Sequence, residues 1–202
     1  ENLRVRDKEF LGRVESWFAD SAERGLPSPH GANASNNGAN AHLEARAPIP
    51  PMFAPLKLRD LTIANRVVVS PMCMYSAVDG EVNDFHLVHY GARASGGAGL
   101  IFTEMTDVSA DARITPGCAG MWNDTQAAAW QRVVQFVHRH TGARIGMQLA
   151  HAGRKGSCSR PWEGDAPLTN GGWRTLGPSA DAFRADWPAP KAMDAADFAA
   201  VT

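Results

Sequence analysis

The chain has 202 residues, of which 44% are hydrophobic, and its formal net charge is −1. This composition provides enough apolar residues for one sizeable core and excludes disorder throughout the chain. Because Lys and Arg form no concentrated run, neither nucleic acid nor an anionic membrane is an expected partner. No apolar run approaches the roughly 18 residues of a membrane helix, and no secretory signal opens the chain, so we expect a soluble, cytoplasmic protein.

The number and spacing of the cysteines also indicate a reducing, cytoplasmic compartment. Cys73, Cys118 and Cys158 are an odd number with wide, irregular spacing. Such a pattern argues against a disulfide framework and fits a reducing environment.

The first 50 residues predict a helix and a flexible linker. Apolar residues recur at helical spacing from Asp7 to about Glu23, and Asp7 is placed to cap the N-terminus. The following stretch is rich in Pro, Gly, Asn, Ser and Ala and has no periodicity that could bury a face. We therefore predict a helix in residues 1–24 and a linker in 25–50. The helix either packs on the later domain or ends an upstream one, and a linker favours the second arrangement.

A βαβαβ pattern is predicted after Pro51. The elements in chain order are a hairpin at 56–58 and 61–63, a strand at 67–69, a helix at 84–95, a strand at 99–103, a helix from Asn123 to about 142, and a strand at 145–149. Asn123 and Gln126 are expected to form a capping box. The Gly-, Pro- and Trp-rich stretch at 151–190 is assigned no regular element, and 193–202 begins a further helix.

The spacing of the three strands indicates the fold class. They start at residues 67, 99 and 145 and are separated by a loop and a helix each time, which is typical of a parallel sheet covered on both faces. A complete (β/α)₈ barrel takes roughly 250 residues. We therefore predict an α/β fold, the N-terminal and incomplete part of a TIM barrel. An open doubly wound sheet fits the length better, but no Gly-x-Gly-x-x-Gly fingerprint opens a helix.

Reactive and polar side chains follow the predicted strands. Cys73 and Tyr75 come just after the first strand, where a parallel barrel binds its ligand, and in an extended chain they point the same way. Cys73 is either a cofactor-tuning thiol or a small buried hydrophobe, and Tyr75 is either functional or simply packed. Gln148, in the third strand, is expected to be buried and to need a polar partner. That partner is a heterocycle with alternating carbonyl and imide edges or a neighbouring strand.

Charged residues surround the same positions. His151, Arg154 and Lys155 follow the third strand and form either an anion-binding rim or a solvated turn. Glu104, at the end of the second strand, is a carboxylate at the same rim and is either functional or only paired with one of these cations.

Other catalytic motifs are weak or missing. His86 and His89 are spaced to share a zinc ion, but no further cluster completes a four-ligand site, so a structural role is favoured. The chain contains neither a Gly-x-Ser-x-Gly elbow nor a phosphate-binding P-loop, which argues against hydrolases and nucleotide-hydrolysing enzymes.

Five motifs stand in order along the predicted barrel: SPMCMYS at 70–76, FHLVHY at 85–90, GLI at 99–101, RIT at 113–115 and GMQLAHAGRK at 146–155. Together they resemble the Old Yellow Enzyme family, and in particular its thermophilic-type NADPH dehydrogenases. The resemblance covers about residues 51–202. It implies an FMN-binding TIM barrel that passes a hydride from NADPH or NADH to an activated alkene.

The resemblance also implies roles for individual residues. The expected flavin-binding residues are Ser70, Pro71, Met72, Cys73, Met105 and Gln148. Cys73 would lie near the reactive ring edge and tune the flavin potential, and Gln148 would bond the pyrimidine edge. Tyr75 would face the substrate, so Tyr75 and Cys73 are the expected catalytic residues, and Lys155 is an expected substrate contact. Met105 stands where this branch often has a small Ala.

A second resemblance concerns the arrangement of the whole chain. A helix, a linker and this kind of barrel resemble the junction in two-domain salicylyl-CoA or 2-aminobenzoyl-CoA monooxygenase/reductases. There an FAD monooxygenase precedes the flavin barrel, so residues 1–24 would be its tail and an aromatic acyl-CoA the substrate. The family's histidine pair, proton-donating Tyr and phosphate site would follow Thr202. We therefore expect residues 1–202 alone neither to hold FMN tightly nor to turn over.

Two other functions are considered beside this one. A flavin-free TIM-barrel lyase or aldolase would need a catalytic Lys or metal-binding carboxylates, and only Lys155 is a candidate. A truncated barrel without activity is the non-enzymatic alternative. Association into a homo-oligomer is compatible with all three.

Overall fold

The computed structural model describes residues 7–25 and 50–201, and the chain divides into two compact units, the first ending at Val67 and the second beginning at Val68. The predicted linker lies almost entirely outside the described residues, as do residues 1–6 of the predicted N-terminal helix. Among the described residues, no helix has the length and apolar character that crossing a membrane requires.

The first unit contains one helix and one hairpin. Helix α1 spans Lys8–Gly25, and the predicted cap is confirmed, since Asp7 Oδ1 accepts the Phe10 N–H at 2.8 Å. The hairpin pairs β1, Leu56–Leu58, with antiparallel β2, Leu61–Ile63, at the predicted residues.

The second unit is built on a parallel sheet with two helices. Its central strand is β4, Leu100–Asp107, which pairs with β3, Val68–Val69, on one side and with β6, Arg144–Ala150, on the other. A short strand β5, Ala119–Gly120, pairs with the end of β4. Helices α2, Asp84–Ser95, and α3, Asp124–His140, pack on each other and on this sheet. The predicted βαβαβ order is confirmed.

The cap of α3 differs in part from the prediction. Asn123 Oδ1 accepts the Gln126 N–H at 2.9 Å, as a cap residue should. The reciprocal half of the capping box is wrong, because Gln126 Oε1 accepts the N–H of Trp122 instead, at 2.9 Å. Gln126 Nε2 also donates to the Asp79 carbonyl at 2.9 Å, so this buried amide ties a loop to the helix.

Strand β4 is longer than the sequence predicted. It continues past Thr103 to Asp107, and its pairing with β6 shifts register between Phe102 and Met105. This irregularity disturbs the alternation of side chains that a strand prediction depends on. The polar residues beyond it are accommodated by hydrogen bonds, since Thr103 Oγ1 accepts the Gln148 N–H at 3.1 Å. A polar segment therefore belongs to the sheet.

The prediction that the third strand is buried was wrong. Its residues are half-buried or exposed, Gln148 is exposed, and Leu149 is 60% exposed. Among the described residues β6 pairs only with β4, so its other edge is uncovered. Val68 of β3 is also exposed, at 47%. The sequence predicted a sheet covered on both faces, whereas the described residues leave part of it exposed.

The stretch at 151–190 contains short elements that the sequence did not predict. Strand β7, Leu176–Gly177, pairs in parallel with β8, Lys191–Ala192, and 3₁₀ turns lie at Gly153–Lys155 and Pro161–Glu163. Elements of two or three residues have too little periodicity to be recognised in a sequence. The final helix, α4, spans Ala195–Val201 as expected.

Candidate functional site

The candidate site lies where the strands of the parallel sheet end. The chain leaves β3 at Val69 and runs directly into the segment at 70–76. On the next two strands, Met105 of β4 stands opposite Gln148 of β6. The carboxyl ends of parallel strands are where barrels of this kind bind ligands. The topology thus brings the predicted flavin-binding segments to one edge of the sheet.

Three of the predicted site residues pack against one buried cluster. Its members are Ile114, Cys118, Cys158 and Trp187, and the half-buried residues packed on it include Cys73, Tyr75 and Met105. Cys73 and Tyr75 thus share a neighbourhood, as expected from their spacing. The chain between them is not extended, however, because Tyr75 adopts a φ of 52°.

The cluster also unites all three cysteines, which the sequence separates widely. Burial raises the pKa of the Cys73 thiol, and a hydrogen bond to the Met105 backbone opposes this shift. The charge of Glu104, and that of Asp107 once it ionises, raise the Cys73 pKa further. Burial raises the pKa of Cys118 to about 11. These groups are therefore thiols near neutral pH, which makes them weak nucleophiles.

Alkylation should distinguish the three thiols. At pH 7.5 we expect iodoacetamide to modify half-buried Cys73 more slowly than a free cysteine and to leave Cys118 and Cys158 unmodified, because both are completely buried. For Cys118 the raised pKa alone lowers the thiolate fraction about 100-fold. Peptide mass spectrometry over time measures the rates. Urea-unfolded protein is the control, in which all three should react alike, and rapid native labelling of Cys118 would contradict the packing.

A loop from the second half of the chain holds Tyr75 through the backbone carbonyl of that residue. Its carbonyl oxygen accepts Arg160 Nε at 2.9 Å, and Arg160 in turn pairs with Glu163 at 3.0 Å. A Cβ on Gly117 would lie 2.3 Å from the same carbonyl, so only glycine fits there. Burial raises the pKa of Tyr75 to about 12, which keeps its phenol protonated.

The loop that holds Tyr75 also brings an aromatic neighbour that the sequence analysis missed. The Trp162 ring meets the Tyr75 ring edge to face with 5.9 Å between centroids, and Trp162 is 66% exposed. An exposed indole beside a candidate substrate residue forms an apolar wall. The one sequence signal that could have indicated an ordered loop is the spacing of Arg160 and Glu163, which cap the 3₁₀ turn at Pro161–Glu163.

Glu104 has a different partner from the one expected. It is completely buried, its Oε2 accepts the Met74 N–H at 3.0 Å, and its Oε1 lies 3.1 Å from His86 Nε2. The last two atoms are not aligned as a hydrogen bond. The predicted pairing with a rim cation is wrong, because Glu104 faces His86 of α2. Among the described residues, no group of three or more potential ligands is arranged to hold a metal ion.

Asp107 is a second buried carboxyl group, which the sequence analysis missed. Neither of its carboxylate oxygens has a hydrogen-bond partner among the described residues. Burial raises the pKa of Asp107 to about 8, with the positive charge of Arg113 opposing the shift and the charge of Glu104 adding to it. Asp107 is therefore protonated near neutral pH. It was overlooked because the strand was predicted to end four residues earlier.

The electropositive rim remains largely free of carboxylates. His151 Nδ1 accepts the Gly153 N–H at 2.9 Å, Arg154 donates to Ser179 Oγ at 3.0 Å, and the Lys155 ammonium lies 5.7 Å from the Phe183 ring centroid. No hydrogen bond links the exposed Gln148 side chain to another described residue, in contrast to the buried amide expected. Its two donors and one acceptor remain open at the end of the sheet.

Residues 51–198 match the profile of the NADH:flavin oxidoreductase / NADH oxidase family. The chain belongs to this family. Its members are oxidoreductase enzymes, and the predicted relation to Old Yellow Enzyme is confirmed.

Individual relatives in the NADH:flavin oxidoreductase family show the same relation. The chain is 51% identical to an NADPH dehydrogenase of Listeria monocytogenes over 106 residues, 52% of this chain and 31% of the relative. It is 41% identical to an NADH:flavin oxidoreductase of Gibberella zeae over 153 residues, 73% of this chain and 37% of the relative.

Solved structures show the same architecture. Morphinone reductase is 29% identical with a TM-score of 0.63, over 75% of this chain and 42% of that protein. Old Yellow Enzyme from Pichia is 26% identical with a TM-score of 0.63, over 74% of this chain and 39% of that protein. The chain thus spans less than half of the length of these relatives, which is consistent with the predicted incomplete barrel.

Proposed function

We propose that this protein is an FMN-dependent oxidoreductase that uses NADPH or NADH to reduce an activated alkene. The observation that carries the proposal is the family match at 51–198, which includes every predicted site residue. The fold supports it, because Cys73, Tyr75 and Met105 pack on one cluster and Gln148 stands opposite Met105.

The residues at the end of the sheet fit a flat heterocycle. Met72 is 42% exposed and Met105 is half-buried, so both offer apolar surface to a ring. Gln148 offers an open amide in register with Met105. Ser70, Pro71, Met72 and Cys73 would line the isoalloxazine, and Gln148 would bond its polar edge. FMN, when bound, supplies the hydride chemistry, and the protein supplies position and electrostatics.

The remaining residues would act on the substrate. Tyr75 keeps its proton and can donate a hydrogen bond to a substrate oxygen, since the pKa of its phenol is raised to about 12. Trp162 beside it can exclude water and contact an apolar substrate. The Lys155 ammonium, near the Phe183 ring, is placed to attract an anionic substrate group. Cys73 remains a thiol and modulates the ring instead of forming a bond to it.

For the substrate class we propose an aromatic acyl-CoA thioester. The aromatic wall of Tyr75 and Trp162 and the cations of the rim support this choice, because such a substrate joins an aromatic ring to a polyanionic tail. An upstream FAD monooxygenase domain, joined through the helix and linker, stays a prediction from the resemblance.

Flavin binding and turnover test the proposal. We expect the protein, expressed with its natural flanking sequence, to bind FMN, to be reduced by NADPH or NADH without oxygen, and to be reoxidised by an enone, which is an activated alkene. Gln148→Ala should weaken FMN binding about tenfold through its lost hydrogen bonds. Gln135→Ala, an exposed glutamine on α3, is the matched control. A protein that stays colourless when FMN is supplied would refute the proposal. Residues 1–202 alone are expected to bind FMN weakly.

A further inference from the structure

A cavity of about 270 Å³ lies among the segments 154–157, 167–175 and 187–189. Trp187 belongs both to its wall and to the buried cluster on which Cys73 and Tyr75 pack, so the cavity adjoins the candidate site. Ligand pockets in proteins measure about 300–1,000 Å³. The cavity is therefore suited to one end of a larger ligand.

The lining of the cavity carries an excess of positive charge. Arg154 and Arg174 line it, and none of the described Asp or Glu residues does. Arg154 is held by a neutral hydroxyl, that of Ser179, which itself donates to Asp181 at 2.6 Å outside the lining. No hydrogen bond or ion pair joins the Arg174 guanidinium to another described residue. Arginine binds a phosphate through parallel N–H donors, so each of these two guanidinium groups can donate to one.

The same cavity presents fixed aromatic surface. Trp173 and Trp187 both line it, and because Trp187 is only 6% exposed, the half-buried Trp173 provides the accessible ring. Trp173 is fixed by its indole N–H, which donates to the Asp111 carbonyl at 2.9 Å, and by its backbone N–H, which donates to Ser157 Oγ at 2.8 Å. Indole faces stack with heterocyclic bases, and this interaction needs no specific hydrogen bonds. A ligand that joins a flat base to a phosphate would therefore use both features of the lining.

We propose that this cavity binds the phosphorylated adenosine end of a nucleotide, with the base against the Trp173 indole and the phosphate monoester on Arg154 and Arg174. NADPH carries such a group on the 2′ carbon of its adenosine, and an acyl-CoA thioester carries it on the 3′ carbon. The choice of these two sources rests on the proposed function, whereas the anion site itself rests on the cavity.

Calorimetric titration of the purified protein tests the proposal with three probes: adenosine 2′,5′-bisphosphate, adenosine 3′,5′-bisphosphate and adenosine. We expect at least one bisphosphate to bind about tenfold or more tightly than adenosine, because a charged hydrogen bond contributes more than a neutral one. Preference for the 2′,5′ compound assigns the site to NADPH, and preference for the 3′,5′ compound assigns it to acyl-CoA. Equal affinities assign it to both.

Variants link the binding to the cavity. Arg174→Ala should weaken bisphosphate binding about tenfold and leave adenosine binding unchanged. Arg174→Glu should abolish bisphosphate binding. Arg144→Ala, at an exposed arginine outside the cavity, is the control and should change neither. The proposal is overturned if the bisphosphates bind no more tightly than adenosine or if both Arg174 variants bind them normally. The titration requires neither flavin nor turnover. Its outcome is therefore independent of the FMN-binding and activity tests of the proposed function.

Discussion

Glu104→Ala is expected to lower the free energy of unfolding by about 3–5 kcal/mol, the range found when one partner of a buried pair is removed. Glu104 and His86 are both completely buried, with 3.1 Å between Oε1 and Nε2. The substitution also removes the acceptor of the Met74 N–H. The Met74 N–H is then left without an acceptor, and buried His86 loses the carboxylate that it faces. Urea denaturation at constant pH measures the loss.

The substitution should also disturb the candidate site, because the Met74 N–H loses its acceptor and Met74 stands between Cys73 and Tyr75. Glu104→Gln keeps an acceptor for the Met74 N–H and should lose about 1–2 kcal/mol less than the Ala variant. Arg132→Ala breaks the exposed ion pair between Arg132 and Asp84 and is the control, with an expected change of about 0–1 kcal/mol. If Glu104→Ala lost no more than this control, the pair would not anchor the segment at 70–76.

Local signals in the sequence predicted much of the part of the fold that carries this segment. Helix α2 begins after Asn83 and ends before Gly96, as its capping residues indicate. The strand before Pro71 ends early because proline cannot donate to a sheet ladder. Once parallel strands are recognised, their carboxyl ends must lie together, so the positions of Cys73 and Gln148 relative to the sheet follow from chain order.

Contacts between distant segments could not be predicted in the same way. Cys118 and Cys158 belong to one buried cluster with Ile114, whose carbonyl accepts the Cys158 N–H at 3.0 Å. The neighbourhood of Tyr75 and Trp162 likewise depends on one long-range hydrogen bond, from Arg160. No periodic pattern or characteristic residue spacing in the sequence predicts either contact. Functional neighbours contributed by loops are therefore the part of the site that sequence reasoning misses.

Asp107→Asn is expected to make the protein more stable than the natural chain above pH 8 and to leave its stability almost unchanged near pH 4. Asp107 is completely buried, and burial raises its pKa to about 8 from the usual 3.8. Between these values the folded state holds a proton that the unfolded state has released. The free energy of unfolding of the natural chain therefore falls as the pH rises from about 4 to 8.

The size of this effect follows from the pKa shift. A pKa difference of one corresponds to about 1.4 kcal/mol. Ionising Asp107 in the folded protein above pH 8 therefore costs on the order of several kcal/mol. Asparagine keeps the shape of the protonated acid but cannot ionise, which removes the pH dependence of this position. Urea denaturation between pH 4 and 9 compares the two chains, with Asp186→Asn at an exposed position as the control.

The difference in the free energy of unfolding between the natural chain and Asp107→Asn must grow with pH if the carboxyl group is buried without a partner. A difference that stays constant from pH 5 to 9 would show that Asp107 ionises in the fold as it does in solvent. The same titration should affect the candidate site, because the negative charge of Asp107 raises the pKa of the Cys73 thiol. Alkylation of Cys73 at pH 9 should consequently be faster in Asp107→Asn than in the natural chain, and equally fast in both chains if the two groups do not interact.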